Sequence, residues 1–382
     1  MRKLTKFFIW PVIASVLVAV VMLVVFPQRS NNSAQNVQIK QIQPRETSPA
    51  LQPGPVSYAD AVNQAAPAVV NIYTATKVSD DDNPLIEDPL QQKYFNSEGP
   101  KPERYKTSLG SGVILSKQGY VLTNHHVIAS ADSILVALKD GRETQAEVIG
   151  TDPETDIAVL KISLPDLPTV TLASSDDISV GDVVLAIGNP FGVGQTVTMG
   201  IISATGRNQL GINTYENFLQ TDASINPGNS GGALIDAYGN LVGINTAIFS
   251  KSGGSQGIGF AIPSNLARMV LQEIIENGRV IRGWLGIEIQ EMTPRLAESF
   301  GMKNSAGLII AGIFRGSPAH QAGMLPGDIL VSIDNKKIID SRSAMNQIAQ
   351  TKPGITLSME VIRNTKKITL EILIGNRPAT QP

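Results

Sequence analysis

The sequence predicts a mainly β protein in three parts: an N-terminal transmembrane helix, a large all-β domain and a small α+β domain. Three observations predict this fold class. An uncharged apolar run fills residues 7–26, short apolar segments alternate with glycine-containing turns in the middle of the chain, and the strand pattern restarts after Gly278. The length of 382 residues suits two to three domains at about 150 residues each.

Composition excludes several classes of function. The 31 Lys and Arg residues balance 33 Asp and Glu residues, and the net charge of −2 provides no basic surface for a nucleic acid partner. Cysteine is absent, which excludes disulfides, thiolate nucleophiles and iron–sulfur clusters. Histidine occurs only at positions 125, 126 and 320, too few for a multi-histidine metal site. We therefore predict neither a metal nor a cofactor.

The N-terminal run is predicted to span a membrane. About 20 apolar residues cross the hydrocarbon core as a helix, and Arg2, Lys3 and Lys6 before the run favour a cytoplasmic N-terminus. A cleaved signal peptide is the alternative, although its apolar core is usually only about 7–15 residues long. We predict an uncleaved anchor over residues 1–27, and under both interpretations the rest of the chain is exported.

Two segments are predicted to lie outside any packed core. Residues 28–57 consist largely of Pro, Gln, Asn and Ser, a composition that forms a flexible linker. Residues 79–107 interrupt the β domain with a mixture of acidic, basic and proline residues. Loops of this length are commonly functional or disordered.

Residues 58–280 are predicted to form the β domain. Short apolar runs between glycine turns indicate a barrel or a sandwich. The predicted strands are residues 113–115, 121–123, 134–138, 144–149, 157–162, 183–187, 197–203, 233–235 and 241–245. One helix closes the domain, with Ser264 as its N-cap and Gly278 after its end.

Residues 281–376 are predicted to form the α+β domain. Its strands are expected at residues 285–289, 307–313, 329–333, 355–362 and 367–374. Ser317-Pro318 opens a short helix that ends at Gly323, and residues 341–350 form a second helix.

The strongest chemical signal is the segment Gly228-Asn229-Ser230-Gly231-Gly232. A serine hydroxyl attacks readily only when a base takes its proton, and nearby glycines let a loop aim its N–H groups at one developing oxyanion. Ser230 is therefore the candidate nucleophile, in an oxyanion loop of Gly228, Asn229 and Ser230. The candidate donors are the N–H groups of Gly228 and Ser230. An ordinary glycine-rich turn is the alternative.

The base must be one of the three histidines. His125 and His126 follow a predicted strand, and the residues alone do not separate them. His320 lies in a short polar helix of the C-terminal domain, where a surface role is expected. A structural histidine is the alternative for each of the first two.

The acid that orients the base is expected next to a core strand. Asp156 directly precedes the apolar run of residues 157–162, and Asp152 and Asp222 are the alternatives. With Asp156, the order along the chain is histidine, aspartate, serine. That order is found in chymotrypsin, and differs from subtilisin and the α/β-hydrolases.

Three segments together resemble the catalytic blocks of the HtrA/Deg serine proteases: residues 123–127 (TNHHV), 155–160 (TDIAVL) and 228–232 (GNSGG). The resemblance runs from about Tyr58 to Ile374. It implies a chymotrypsin-like double β-barrel followed by one PDZ domain. The family pattern places the catalytic histidine directly before the valine, which selects His126 over His125.

An N-terminal anchor with a single PDZ domain is similar to the DegS branch of this family, including AlgW-type relatives. The resemblance implies a protease of the bacterial inner membrane, with its folded domains in the periplasm. C-terminal peptides of misfolded outer-membrane proteins would bind the PDZ domain, and the protease would cut an anti-sigma factor. A homotrimer is implied, and Arg207 matches the family's loop arginine that couples the PDZ domain to the active site.

The resemblance also implies the peptide-binding loop of the PDZ domain. The loop consists of Gly283, Trp284, Leu285, Gly286 and Ile287, and it would present backbone N–H groups to a peptide carboxylate while the peptide adds a strand to the sheet edge. Packing between domains is the alternative role for the tryptophan.

Two departures from the family pattern concern loops, and a third feature concerns specificity. The insert at 79–107 is longer than in the shortest relatives, and residues 250–257 contain no acid to pair with Arg207. Ser224 stands six residues before Ser230, where trypsin-like pockets carry an acid. With Ile225 beside it, the pocket is expected to prefer a small or medium apolar side chain.

Two alternative functions are a degradative DegP-like protease and a catalytically silent peptide-binding scaffold.

Overall fold

The computed structural model describes residues 40, 57–77, 105–190, 194–208, 210–248, 254–302, 307–338 and 340–378. The predicted anchor, nearly all of the predicted linker and residues 79–104 of the insert lie outside these ranges. Within them, no helix is both long and apolar enough to cross a membrane. The end of the insert, from Tyr105, belongs to a strand.

The first half of the β domain is one sheet. Its strands are β1 Val69–Lys77, β2 Tyr105–Ile114, β3 Tyr120–Thr123, β4 Ser133–Ala137, β5 Glu143–Gln145, β6 Glu147–Asp152 and β7 Ile157–Lys161. The order is β5-β4-β1-β2-β3-β7-β6, and only Ala146 separates β5 from β6, so the sheet returns on itself as a barrel. Branched apolar side chains, which suit a half-buried pleated surface, are fully buried at Ile72, Leu122 and Leu160.

The second half is a closed barrel. Its strands are β8 Thr171–Leu172, β9 Val183–Gly188, β10 Thr196–Arg207, β11 Phe218–Thr221, β12 Ala233–Asp236, β13 Asn240–Ile248 and β14 Gly259–Pro263. The order is β12-β9-β10-β11-β14-β13-β8, and a further pairing of β12 with β13 closes six of these strands. Val184, Ile202, Leu219 and Val242 contribute to its core.

Short helices precede and interrupt the barrels, and a long one follows them. They are α1 Ala59–Ala65, α2 His125–Ile128 and α3 Ser264–Asn277. The prediction of Ser264 as an N-cap is wrong: Pro263 occupies that position, and the Ser264 hydroxyl donates to the carbonyl of Ala173 at 2.7 Å. Gly278, with φ +71°, ends α3 as expected.

The C-terminal domain has five main strands, as predicted. They are β16 Ile287–Glu291, β17 Leu308–Ile313, β18 Ile329–Ile333, β20 Thr356–Arg363 and β21 Lys366–Leu373, with β15 Gly283–Trp284, β19 Lys336–Lys337 and β22 Gly375–Asn376 as short additions. The order is β16-β17-β18-β20-β21, and β15 pairs separately with β22. The helices are α4 Pro294–Ser299, α5 Pro318–Gln321 and α6 Ser341–Gln350. Helix α6 matches the predicted bounds, and Asp340 begins it with a capping box.

Candidate active site

His126 and Asp156 are in direct contact where the first barrel faces the second. The Nδ1 atom of His126 lies 2.7 Å from Oδ2 of Asp156, and its backbone N–H donates to Oδ1 at 2.9 Å. A carboxylate only accepts, so the ring carries its proton on Nδ1 and leaves Nε2 as an acceptor. The side chain of His126 is half exposed and that of Asp156 is nearly buried. The pair therefore presents a free basic nitrogen to the cleft.

The carboxyl of Asp156 is kept ionised by its partners. Burial acts to raise its pKa, but the hydrogen bond and charge of His126 and the hydroxyl of Thr246 outweigh burial, and the net effect lowers the pKa below its ordinary value. The Thr246 hydroxyl donates to Oδ2 at 2.7 Å. Two donors on one oxygen thus orient the carboxylate towards the imidazole ring.

Ser230 is close to this network, but its hydroxyl points elsewhere. The Oγ atom donates to the backbone carbonyl of Thr246 at 3.1 Å, and no hydrogen bond joins it to His126 among the described residues. Thr246 is the extra residue of a β-bulge, because Asn245 pairs with Ala261 and Ala247 pairs with Phe260. A bulge re-aims a residue out of the ladder, so Thr246 directs its hydroxyl to Asp156 and its carbonyl to Ser230.

The loop before Ser230 forms a tight turn. The N–H of Asn229 donates to the carbonyl of Asn226 at 2.9 Å, and Gly228 has a φ of +101° that disfavours any other residue. Among the described residues, the N–H groups of Gly228 and Ser230 have no acceptor. These two groups are available to an oxyanion, whereas the N–H of Asn229 is used within the turn.

The alternative acids and the alternative base His125 do not form such a pair. Asp152 binds Thr155 and Arg282, and Asp222 accepts the N–H of Ile201 at 2.7 Å. The Nδ1 atom of His125 is buried without a partner. The structure therefore joins only His126 and Asp156 among the candidates for base and acid.

The position predicted for the base of the specificity pocket carries no charge. Ser224 is partly buried and its carbonyl accepts the Thr198 hydroxyl at 2.8 Å, while Ile225 belongs to the core of the second barrel. Asp222 is the acid closest to Ser224 in the sequence, and its carboxylate accepts the N–H of Ile201 on β10.

Arg207 is the last residue of strand β10, not part of a loop as predicted. Its Nε atom donates to Oε1 of Gln220 on β11 at 2.8 Å. Gln220 is thus the partner that the sequence did not identify, and it is uncharged.

An arginine that the sequence analysis missed binds the turn before Asp156. Arg282 is nearly buried and contacts Asp152 through Nη2 and Glu154 through Nη1, the latter at 3.0 Å. Asp152 also accepts the hydroxyl of Thr155, the residue next to Asp156. An acid four residues before the catalytic candidate was the available sequence signal, but its partner lies 130 residues away.

A second arginine extends this cluster. Nη1 of Arg377 lies 2.8 Å from Oε1 of Glu154 and 2.6 Å from the hydroxyl of Tyr215. Both guanidinium groups lie against the Tyr215 ring, with that of Arg282 4.6 Å from its centroid. Burial raises the pKa of Tyr215. The C-terminal domain thus holds residues 152–155 from one side.

Helix α6 binds a loop that is built around one carboxylate. Glu216 is fully buried and accepts the N–H groups of Leu210 at 2.8 Å and Ile212 at 2.6 Å. On the outside of this loop, Asn346 donates to the carbonyl of Glu216 at 2.7 Å and Arg342 donates to the carbonyl of Thr214. The loop of residues 208–217 is therefore held from within and by the C-terminal domain.

The predicted peptide-binding residues lead into an open edge of the C-terminal sheet: Gly283 and Trp284 form β15, which pairs with β22, and Ile287 begins β16. Strand β16 pairs with β17 on one side, and no described strand pairs with its other side. Gly286 has a φ of +72°, and the N–H groups of Leu285 and Gly286 have no acceptor among the described residues. The ring of Trp284 lies 6.1 Å from that of the exposed Phe314. The loop can therefore bind a carboxylate beside an aromatic surface.

Two family models match the chain. A trypsin-like peptidase domain matches residues 110–244, and a PDZ domain matches residues 283–374. The mainly β trypsin-like domain and the PDZ domain predicted from the sequence are thereby confirmed.

Named relatives cover most of the chain. The serine endoprotease DegS of Escherichia coli (strain K12) is 44% identical over 330 residues, 85% of this chain and 88% of the relative. A probable periplasmic serine endoprotease, DegP-like, of Pseudomonas fulva (strain 12-X) is 44% identical over 336 residues, 83% of this chain and 70% of the relative. The solved structure of the HtrA-type protease AlgW with a decapeptide is 60% identical, with a TM-score of 0.72, and covers 85% of this chain and 100% of its own.

Proposed function

This chain belongs to the HtrA family of trypsin-like serine endopeptidases, and we propose that it is a membrane-anchored periplasmic protease of envelope stress signalling. C-terminal peptides of misfolded outer-membrane proteins would bind its PDZ domain and activate it. The activated protease would then cut the periplasmic part of an anti-sigma factor. The observation that carries the catalytic part is the bonded set of His126, Asp156 and Thr246 beside Ser230.

In the proposed mechanism, Ser230 attacks the scissile carbonyl while Nε2 of His126 takes its proton. Asp156 holds the ring in the required tautomer and stabilises the imidazolium that forms. The Gly228 and Ser230 N–H groups bind the oxyanion. For this step the Ser230 hydroxyl must leave the Thr246 carbonyl and turn to His126, because a hydroxyl donates only one proton.

The PDZ domain is the proposed sensor. An incoming peptide would add a strand along β16 and place its carboxylate on the N–H groups of the loop from Gly283 to Ile287. Helix α6 packs beside β15 and β16 and also binds the loop at 208–217, so a peptide in this groove contacts an element that touches the protease domain. Those contacts support regulation by peptide.

The route from the PDZ domain to the active site is supported by the arginine cluster. Arg282 and Arg377 bind the turn whose last residue precedes Asp156. A ligand can shift a two-state protein only by its differential affinity for the two states. A peptide that binds the active state better would therefore shift the protein towards it, and the arginine cluster is the proposed route.

The proposed location and assembly have separate support. The apolar run at residues 7–26 supports an inner-membrane anchor, and the relatives named as periplasmic support a periplasmic position for the folded domains. A homotrimer is proposed from the family resemblance. The apolar run also favours a tethered DegS-like protease over a degradative DegP-like one.

A cleavage assay on the purified full chain in detergent micelles tests this function. The substrates are the periplasmic fragment of an anti-sigma factor and unfolded casein, each with C-terminal peptides of an outer-membrane protein. The same peptides with an amidated C-terminus are the matched control, because they lack only the carboxylate.

We expect the free-acid peptides to stimulate cleavage of the anti-sigma fragment and the amidated peptides to have no effect. Efficient cleavage of casein without peptide would instead indicate a DegP-like degradative protease. No cleavage of either substrate would indicate a peptide-binding scaffold.

A further inference from the structure

Ser111 joins the two barrels directly behind the oxyanion loop. It lies on strand β2 and is fully buried. Strand β3 pairs with β2 only at Val113 and Ile114, which leaves the edge of β2 at Ser111 open to the second barrel. The loop that carries Ser230 lies against this open edge of β2, where a further stretch of β3 would otherwise pair.

The hydroxyl of Ser111 bridges two segments of the second barrel. It donates to the carbonyl of Gly228 at 2.7 Å, and it accepts the N–H of Asn189 at 3.0 Å. Both contacts are deeply buried, so no water competes for them. The hydroxyl therefore holds the peptide plane between Gly228 and Asn229 against the end of strand β9.

The backbone of Ser111 holds a second peptide plane of the same loop. Its N–H donates to the carbonyl of Ser230 at 2.8 Å, and its carbonyl accepts the Thr123 hydroxyl at 2.7 Å. A Cβ atom at Gly231 would lie 2.1 Å from that carbonyl. Glycine at position 231 is thus required for the loop to approach β2 this closely.

The geometry assigns Ser111 as a positioning residue of the oxyanion hole. The proposed donors are the N–H groups of the 227–228 and 229–230 peptides, and Ser111 holds the 228–229 and 230–231 peptides that alternate with them. If the N–H of Gly228 or Ser230 rotates out of the oxyanion hole, a neighbouring peptide plane must rotate with it. The two hydrogen bonds from Ser111 to these neighbouring planes oppose that rotation. This role rests on the proposed function of Gly228 and Ser230.

Hydrolysis of an oxygen ester and its thionoester measures this role. A thiocarbonyl sulfur is larger and accepts hydrogen bonds more weakly, so aligned N–H donors favour the oxygen ester, and misaligned donors lose that preference. The variants are Ser111→Ala, which removes the hydroxyl and keeps the backbone bonds, and Ser111→Cys, which keeps a weaker donor. The full chain is assayed with a p-nitrophenyl ester of a valine-terminated peptide and with the matching thionoester.

Ser116→Ala is the matched control. Ser116 is also a buried serine and lies two residues after the end of strand β2, but its hydroxyl has no partner among the described residues. It lies outside the proposed catalytic machinery. Its loss is expected to leave kcat, KM and the ester preference unchanged.

We expect Ser111→Ala to lower kcat for the oxygen ester by about 10- to 100-fold, which does not exceed the effect of removing one oxyanion-hole donor completely. KM should change by less than about twofold. The preference over the thionoester should fall by the same factor, and Ser111→Cys should be intermediate. Circular dichroism checks that each variant folds, and if Ser111→Ala does not, Ser111→Cys decides.

An unchanged ester preference in the folded variant overturns the assignment, as does an equal fall for both esters or an effect of Ser116→Ala. Ser230→Ala separates this inference from the proposed function. If that variant still hydrolyses the esters, the proposed nucleophile is wrong. If it is inactive while Ser111→Ala keeps the preference, only the role of Ser111 is wrong.

Discussion

Asp156 adopts a left-handed backbone conformation, with φ +60°, which costs a non-glycine residue about 1–3 kcal/mol. Hydrogen bonds at both ends of the residue offset this cost. The carbonyl accepts the His125 N–H at 3.1 Å and the Asn124 side chain at 3.0 Å, and the carboxylate accepts His126 and Thr246. The conformation lets one residue bind the histidine segment through its backbone and its side chain together.

Substitution of the proposed nucleophile and base should abolish cleavage. Ser230→Ala and His126→Ala are expected to lower kcat by about 10⁶-fold, the loss found when either group of such a triad is removed. His125→Ala should retain activity, because its side chain makes no contact with Asp156 and its backbone N–H remains. The measurement is kcat on a peptide substrate, and equal losses at His125 and His126 would contradict the assignment.

The lowered pKa of Asp156 predicts a pH-dependent contribution to stability. A carboxyl whose pKa is lower in the folded than in the unfolded state stabilises the fold above its unfolded pKa of about 3.9, and this contribution is lost as the pH falls through the folded value. Asp156→Asn should therefore be less stable than the wild type at pH 7, by about 1–3 kcal/mol. The difference should shrink below about pH 4. Urea unfolding at several pH values measures it, and a difference independent of pH would contradict the prediction.

At the scale of structural elements, the bulge in β13 and the turn at 226–229 create the site. Neither is a regular strand, yet both are held by regular strands: the bulge lies between pairs of the β13–β14 ladder, and the turn lies against β2. Strong pairing on both sides allows a few irregular residues to be positioned accurately, which is what catalysis requires.

The uncharged residues Ser224 and Ile225, which follow β11, predict the side chain that the protease prefers before the scissile bond. An uncharged pocket base favours small or medium apolar side chains such as valine before the scissile bond, because a buried cation there would have no partner. Ser224→Asp should shift cleavage towards Lys and Arg, as an acid at this position does in trypsin. Mass spectrometry of peptide libraries reports the sites. Cuts mainly after Lys or Arg in the wild type would contradict the prediction.

Arg207, whose side chain binds Gln220 on β11, is the relay that the family resemblance proposes for the coupling. Arg207→Ala should lower the peptide-stimulated rate by about 5- to 150-fold, the usual range of an allosteric coupling, while peptide affinity stays near the wild-type value. Gln220→Ala, which removes the observed partner of Arg207, should have the same direction of effect. Binding by calorimetry and rate by peptide cleavage are measured together. Unchanged stimulation in Arg207→Ala would exclude it as a relay.

At the scale of the whole molecule, the PDZ domain contacts the protease domain at both the turn before Asp156 and the loop at 208–217. The first contact is ionic and largely buried, through Arg282, Asp152 and Glu154. The second uses side-chain donors of α6 on backbone carbonyls. Because α6 also packs against β15 and β16, the same helix would connect the proposed sensor with the protease.

The two arginines of the cluster differ in burial, which predicts different effects on stability. Arg282 is 8% exposed and Arg377 is 35% exposed. Arg282→Met should lower the free energy of unfolding by about 3–5 kcal/mol, because it leaves Asp152 buried and unpaired. Arg377→Met, the matched control, should cost about 1 kcal/mol or less. Thermal unfolding followed by circular dichroism compares them, and equal effects would show that the buried pair contributes no more than the exposed one.

The sequence by itself determined the features that are local. Apolar alternation between glycine turns indicated the β class, a serine within a glycine loop indicated the nucleophile, and residues 341–350 were predicted as a helix with the bounds that α6 has. Strands β1, β8, β11 and β14 of the protease domain were not predicted. Of these, β8, β11 and β14 are runs of two to five residues that become strands only through their partners. Strand β14, for example, ends in Pro263 and depends on pairing with β11 and β13.

Only the tertiary structure decided the contacts between distant segments. The residues alone did not separate His125 from His126, whereas the fold places one imidazole on Asp156. Ser111 and Gly228 are 117 residues apart in the chain, and Arg282 and Asp152 are 130 apart. Hydrogen bonds and ion pairs have no sequence period that would reveal such partners, because they depend on which side chains the barrels and the PDZ domain bring within about 3 Å of each other.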